Sequence, residues 1–118
     1  MGTFRYPIDI ADPQGQRYER VEALVDTGVS YTALPASLLR RLGVEPYEDV
    51  EFHIVDGRRI TRSIGQTWIR IDGRRAMTIV VFGDEGAAPL LGAYSLEGLR
   101  LDVDPTNCRL VRTPGLLM

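Results

Sequence analysis

A single carboxylate stands in a setting that suggests chemistry. Asp26 directly follows the apolar run Ala23-Leu24-Val25 and is followed by Thr27 and Gly28. Its side chain therefore starts at the edge of a core, where water is scarce and an ionised carboxylate needs partners to keep its charge. Thr27 offers a hydroxyl, and Gly28 lets the backbone turn sharply towards the acid. Ser30 and Thr32 bring two more hydroxyls close in sequence. Such a set suits the positioning and tuning of an acid. The same three residues also make a plain turn, in which aspartate bonds its own backbone and glycine supplies positive φ. The tripeptide alone does not separate the two readings.

Other chemistries lack residues. His53 is the only histidine, which removes Ser-His-Asp, Cys-His and histidine-rich metal sites within one chain. Cys108 is the only cysteine, so neither an intrachain disulfide nor a multi-cysteine zinc site can form. No metal and no cofactor is expected. His53 alternates with Phe52 and Ile54 and reads as an exposed strand residue. Cys108 reads as a small core residue, Asp102 and Asp104 as solvated acids, and Trp68 and Tyr94 as core or interface aromatics.

The charge balance points the same way. All 14 basic residues are arginine, scattered along the chain, and the net charge is −2. Neither nucleic acid nor a membrane surface is an expected partner. No N-terminal apolar run is long enough for a signal peptide, and Tyr6 replaces the Ser or Thr of a myristoylation signal. With no stretch that could span a membrane, a cytoplasmic location is expected.

The elements that must hold Asp26 read as mostly β. Residues 3–11 alternate in polarity, Asp12-Pro13-Gln14-Gly15 is a turn, and 16–25 is a strand that becomes more buried as it approaches Asp26. Pro35, the apolar positions 38, 39 and 42, late arginines and Gly43 describe a short helix over 35–43. Strands at 50–55 and 58–64 flank Asp56-Gly57, a two-residue hairpin signal. The second of them continues over 66–72, and Asp72-Gly73 leads into 76–82. Residues 89–92 are a short strand, 93–98 a small helix, and 100–103 and 108–112 a final strand pair. About eight strands and two short helices imply a small β barrel. One domain over 1–113 with a tail over 114–118 is expected.

In this order the motifs resemble the retroviral-type (retropepsin-like) aspartic protease family, over nearly the whole chain. Its first signature, an apolar strand running into Asp-Thr-Gly, matches residues 23–30, with Val29 bulkier than the usual alanine. Its second, two apolar residues and a glycine before a short helix, matches Leu90-Leu91-Gly92 and the residues up to Leu99. Between them the family places a hairpin flap, where the turn at Asp56-Gly57 lies. Ala93 and Ser30 occupy the places of an arginine and an acid that pair in retroviral members. Losing both costs far less than stranding one buried charge. The pattern is similar to the cellular and prokaryotic branch.

The resemblance implies an endopeptidase that is a homodimer, with Asp26 of each copy forming the catalytic pair and best activity at mildly acidic pH. Thr27, Gly28 and Ser30 would support the active site, and Leu90, Leu91 and Gly92 would lie beneath it. The flap tip at Asp56, Gly57 and Arg58 would close over an extended peptide or protein substrate. Arg58 and Arg59 beside the tip either bias selection towards acidic sequences or serve only as exposed solubilising charges. The competing implication is a catalytically weak or inactive module for dimerisation or peptide binding, because fold alone does not fix function.

Overall fold

A computed structural model describes residues 3–115 and 117 of the chain. Met1 and Gly2, where the reading of the N-terminus begins, lie outside the described residues, as does part of the tail expected over 114–118. No helix among the described residues is long and apolar enough to cross a membrane.

Among the described residues nine strands and two short helices follow one another. They are β1 (Arg5–Ala11), β2 (Tyr18–Val25), β3 (Thr32–Pro35), α1 (Ala36–Arg41), β4 (Glu48–His53), β5 (Arg59–Ile71), β6 (Arg74–Gly83), β7 (Leu90–Leu91), α2 (Ala93–Leu99), β8 (Leu101–Asp104) and β9 (Arg109–Arg112). Seven strands form one sheet in the order β1-β2-β7-β3-β6-β5-β4. The sheet closes on itself because β1 also pairs with β5 through Asp9 opposite Arg70 and Ile10 opposite Ile69. Closure pairs the outer edge of β1 and leaves β4, which pairs only with β5, as the edge strand. Strands β8 and β9 pair only with each other.

The alternating strand residues fill the barrel. Ile8, Ile10, Ala23, Val25, Ile69, Ile71, Val80 and Leu91 are all nearly or wholly removed from water. Leu38 and Leu39 of α1 and Leu96 and Leu99 of α2 close the core from either side. Both helices are too short to stand alone, so this apolar packing holds them.

The long β5 belongs to two neighbours in turn. Its first half pairs with β4, from Arg59 opposite His53 to Ile64 opposite Glu48. Its second half pairs with β6, from Ile64 opposite Val81 to Ile71 opposite Arg74. The β4–β5 hairpin thus projects from the barrel as the expected flap. At the departure point a Cβ on Gly65 would sit 2.8 Å from the Glu45 carbonyl oxygen, so only glycine admits the close backbone.

Three expectations need correction. The strand count rises from eight to nine because β3 follows the Asp26 loop; its four residues are too few to show a periodic pattern. The turn at Asp56-Gly57 is not a two-residue hairpin. Ile54 N–H bonds Arg58 O at 3.0 Å and only Gly57 has positive φ, which describes a longer turn with a glycine bulge. At Asp72-Gly73, by contrast, both residues have positive φ and Ile71 pairs directly with Arg74, as a two-residue turn requires. Cys108 is neither in a strand nor in the core. It is exposed, with φ of 50°, in the turn before β9.

Candidate active site

Asp26 leaves β2 at the point where that strand runs parallel to β7, with Leu24 beside Leu90 and Val25 beside Leu91. The loop from Asp26 to Tyr31 then turns back into β3. Its local hydrogen bonds are few: Val29 N–H to Asp26 O at 3.2 Å, and Gly28 N–H to Asp26 Oδ1 at 2.9 Å. Its conformation is set from the far end of the chain. Asp26 N–H donates to Leu91 O at 3.0 Å, and the loop carbonyls of Val29 and Ser30 accept from Ala93 and Tyr94 N–H at 2.8 and 2.9 Å. Those two amides belong to the first turn of α2, whose N–H groups have no partner within the helix. No side chain caps α2; the loop's carbonyls serve instead.

Three hydroxyls lie buried under this joint. Ser95 Oγ is 2.6 Å from Thr32 Oγ1 and 2.7 Å from Thr78 Oγ1, and Thr32 Oγ1 accepts Gly92 N–H at 3.2 Å. The trio ties β3, β6 and α2 together with its polar atoms satisfied. Gly92 must be glycine: a Cβ there would stand 2.7 Å from the Tyr31 carbonyl carbon and 2.9 Å from Val29 O.

Above the loop lies a cleft of about 720 Å³ between Asp26 and the flap. Asp26, Gly28, Ser30 and Leu90 of the anticipated residues reach it, together with His53, Ile54 and Val55 of the flap. Thr27 does not; it is exposed and borders a second recess of about 220 Å³ shared with Thr3, Phe4, Asp102 and Val103. Asp26 is half-buried on the wall between the two. Leu91 and Gly92 are buried against the loop, whereas Leu90 faces the cleft. Asp56, Gly57 and Arg58 do not line the cleft. Arg58 folds back on Asp56, with its main-chain N–H at 2.9 Å and its Nε at 2.7 Å from the carboxylate.

Sequence reasoning missed Tyr31, Phe52, Ile60, Arg62 and Val81, which also line the cleft. Phe52 with Ile54, and Ile60 with Arg62, follow the two-residue period that puts alternate side chains on one flap face, so this signal was present. Tyr31 carried none. Its ring meets Phe52 and Tyr94 edge-on, with centroids 6.3 and 5.8 Å away, linking loop, flap and α2. Among the described residues no cluster of side chains could hold a metal ion.

The aspartyl protease family model matches residues 8–94, a span that contains both the Asp26 loop and β7. No curated protein matches the chain in sequence. The fold is similar to EIAV protease, with a TM-score of 0.60 and 19% identity over 81% of this chain and 86% of that one. It is also similar to the retroviral protease-like domain of Ddi1 from Leishmania major, at 0.59 and 18% over 95% and 89%. A retropepsin-like aspartic protease from Rickettsia conorii scores 0.53 at 20% identity, over 87% and 85%.

Proposed function

The chain belongs to the aspartyl protease family, and we propose that it is an endopeptidase that acts as a homodimer, with Asp26 of each copy supplying one of two catalytic carboxylates. The observation that carries this reading is the state of the Asp26 side chain. Oδ1 accepts Gly28 N–H, Oδ2 meets no donor among the described residues, and the residue lines a cleft roofed by a flap. A two-fold axis beside Asp26 would supply the second carboxylate.

Two such groups about 3 Å apart cannot both be ionised, so they hold one proton between them. The ionised one draws a proton from water as it attacks the peptide carbonyl; the protonated one hydrogen-bonds the carbonyl oxygen as charge develops there. No covalent intermediate forms. The loop's role is to fix both carboxylates, and its clamp to Leu91 and α2 supports that. Phe52, Ile54 and Ile60 give the peptide an apolar roof, and the β4–β5 hairpin can close over it.

The test is cleavage of an unbiased peptide library by the protein and by Asp26→Asn, from about pH 4 to about pH 7. Cleavage by the wild type alone, strongest on the acid side, is the expected result. Cleavage by both would assign the activity to something else. The Asp56–Arg58 contact, which braces the flap tip, favours a second reading as a peptide-binding module. Peptide binding without turnover, by a well-folded dimer, would select it.

A further inference from the structure

The cleft carries one fixed positive charge among the described residues that line it, and it is not at the flap tip. Arg58 is paired with Asp56, and Arg59 lies 3.8 Å from Glu51; both pairs are exposed, and neither arginine reaches the cleft. Arg62 does. It stands two residues from Ile60 on β5, so both side chains share the face of the flap that looks onto Asp26. Ile60, Val81 and Leu90 line the same cleft.

The guanidinium has five N–H groups. Nη1 donates to Thr61 O at 2.8 Å and Nη2 to Asp84 Oδ2 at 3.1 Å, and the remaining three meet no acceptor among the described residues. The two partners differ in wetness: the Arg62 side chain is 31% exposed and that of Asp84 is 68% exposed. Asp84 is thus the wetter partner, and water can replace the arginine there at little cost. Arg62 sits in an apolar wall, where a carboxylate from a ligand would gain a charge-assisted, fork-shaped contact in a drier setting. A neutral side chain would cover the guanidinium without replacing its hydration, and a basic one would be repelled.

The geometry points to Arg62 as a specificity-determining residue that makes one subsite of the cleft select an aspartate or glutamate side chain within an otherwise apolar extended peptide. This rests on the reading of the cleft as a peptide site, whether or not turnover follows. It assigns to Arg62 the acidic preference that sequence alone attached to Arg58 and Arg59.

The test separates binding from cleavage. Fluorescein-labelled apolar dodecapeptides carrying Glu, Gln or Lys at one position in turn are titrated into Asp26→Asn, which binds without cutting. At one position Glu should bind roughly tenfold tighter than Gln, about 1.4 kcal/mol, with Lys weaker still. In Asp26→Asn/Arg62→Gln that ratio should fall to near one, whereas adding Arg58→Gln should leave it in place. Asp84→Asn, which frees Arg62, should raise the ratio and guards against an Arg62 variant that merely folds poorly. Equal binding of Glu and Gln peptides everywhere, no peptide binding at all, or loss of the preference in Arg58→Gln but not Arg62→Gln would each overturn the assignment. Failure of the wild type to cleave the Glu peptides it binds would overturn the peptidase reading and leave this one standing.

Discussion

The main-chain N–H of Asp26 donates to the carbonyl oxygen of Leu91 at 3.0 Å, which fastens the start of the Asp26 loop to a strand of two residues. Together with Ala93 and Tyr94 N–H, it makes the loop and the first turn of α2 one rigid piece. The piece tolerates little added volume, because its backbones touch.

Gly92→Ala should therefore harm both stability and catalysis. The new Cβ meets main-chain carbon and oxygen of Tyr31 and the Val29 oxygen inside 3 Å, and none of these is a flexible side chain that could step aside. Overpacking of this kind costs about 1–3 kcal/mol. Urea midpoints should fall accordingly, and kcat should drop more than KM changes, because the displaced group is the carboxylate and not the peptide roof. An unchanged kcat would separate the loop clamp from the chemistry.

Ser95→Ala should remove the shared partner of Thr32 and Thr78, residues that are 0% and 2% exposed. A buried hydroxyl left without its partner costs about 1–3 kcal/mol. Thr78→Val made on the Ser95→Ala background should then cost clearly less than Thr78→Val alone, since the hydrogen bond it removes is already gone. Strict additivity in a denaturation cycle would show that the trio is not coupled.

Asp9 should tie stability to pH on the acid side. Its side chain is 11% exposed, and the hydrogen bond from Arg20, at 2.9 Å, holds its carboxyl below the ordinary value of 3.8, with Arg70 assisting and burial opposing. A depressed folded pKa contributes stability that is present above the unfolded value and disappears as pH falls through the folded one. Asp9→Asn should thus be less stable by about 1–2 kcal/mol at neutral pH, the exposed arginines limiting the effect. The gap should persist down to about pH 4 and close only below it. A gap that closes already near neutrality would point to another group.

Tyr6 should titrate late. Its hydroxyl donates to Asp72 Oδ2 at 2.7 Å, and this bond, with burial and the aspartate's charge adding, pushes its pKa up to about 12. A raised folded pKa gives stability that is complete below the unfolded value of 10.0 and is lost as pH rises through about 12. Tyrosinate absorbance of the native protein should show a late step for Tyr6, and Asp72→Asn should move that step back towards 10.0.

Much of this was legible in the chain because it depended on local rules. The burial of Ala23 and Val25 ahead of Asp26, the helix opened by Pro35 and closed at Gly43, and the tight turn at Asp72-Gly73 each follow from residues within a few positions. The family resemblance rested on order and spacing, which survive changes at single residues. What stayed hidden needed partners from distant segments. Strand β3 exists because β6 runs beside it from Val80 to Gly83, and nothing in Thr32-Ala33-Leu34-Pro35 alone declares it. Arg62 looked like one more surface arginine until the flap register turned it inward. Cys108 was assigned to the core because cysteine is usually buried, yet the turn at Asp104–Asn107 runs one residue longer than its sequence suggests and leaves the thiol outside.

The clamp on the Asp26 loop is drawn from residues 91–94, far downstream of it in the sequence. A ribosome makes the aspartate before its supports. Until Leu91 and α2 have emerged, a nascent chain holds its acid on an unanchored loop, with neither the Leu91 carbonyl nor the Ala93 and Tyr94 amides to set it. A chain broken off before residue 89 would carry the Asp26 motif in full yet lack the Leu91 carbonyl and the α2 amides that hold its loop.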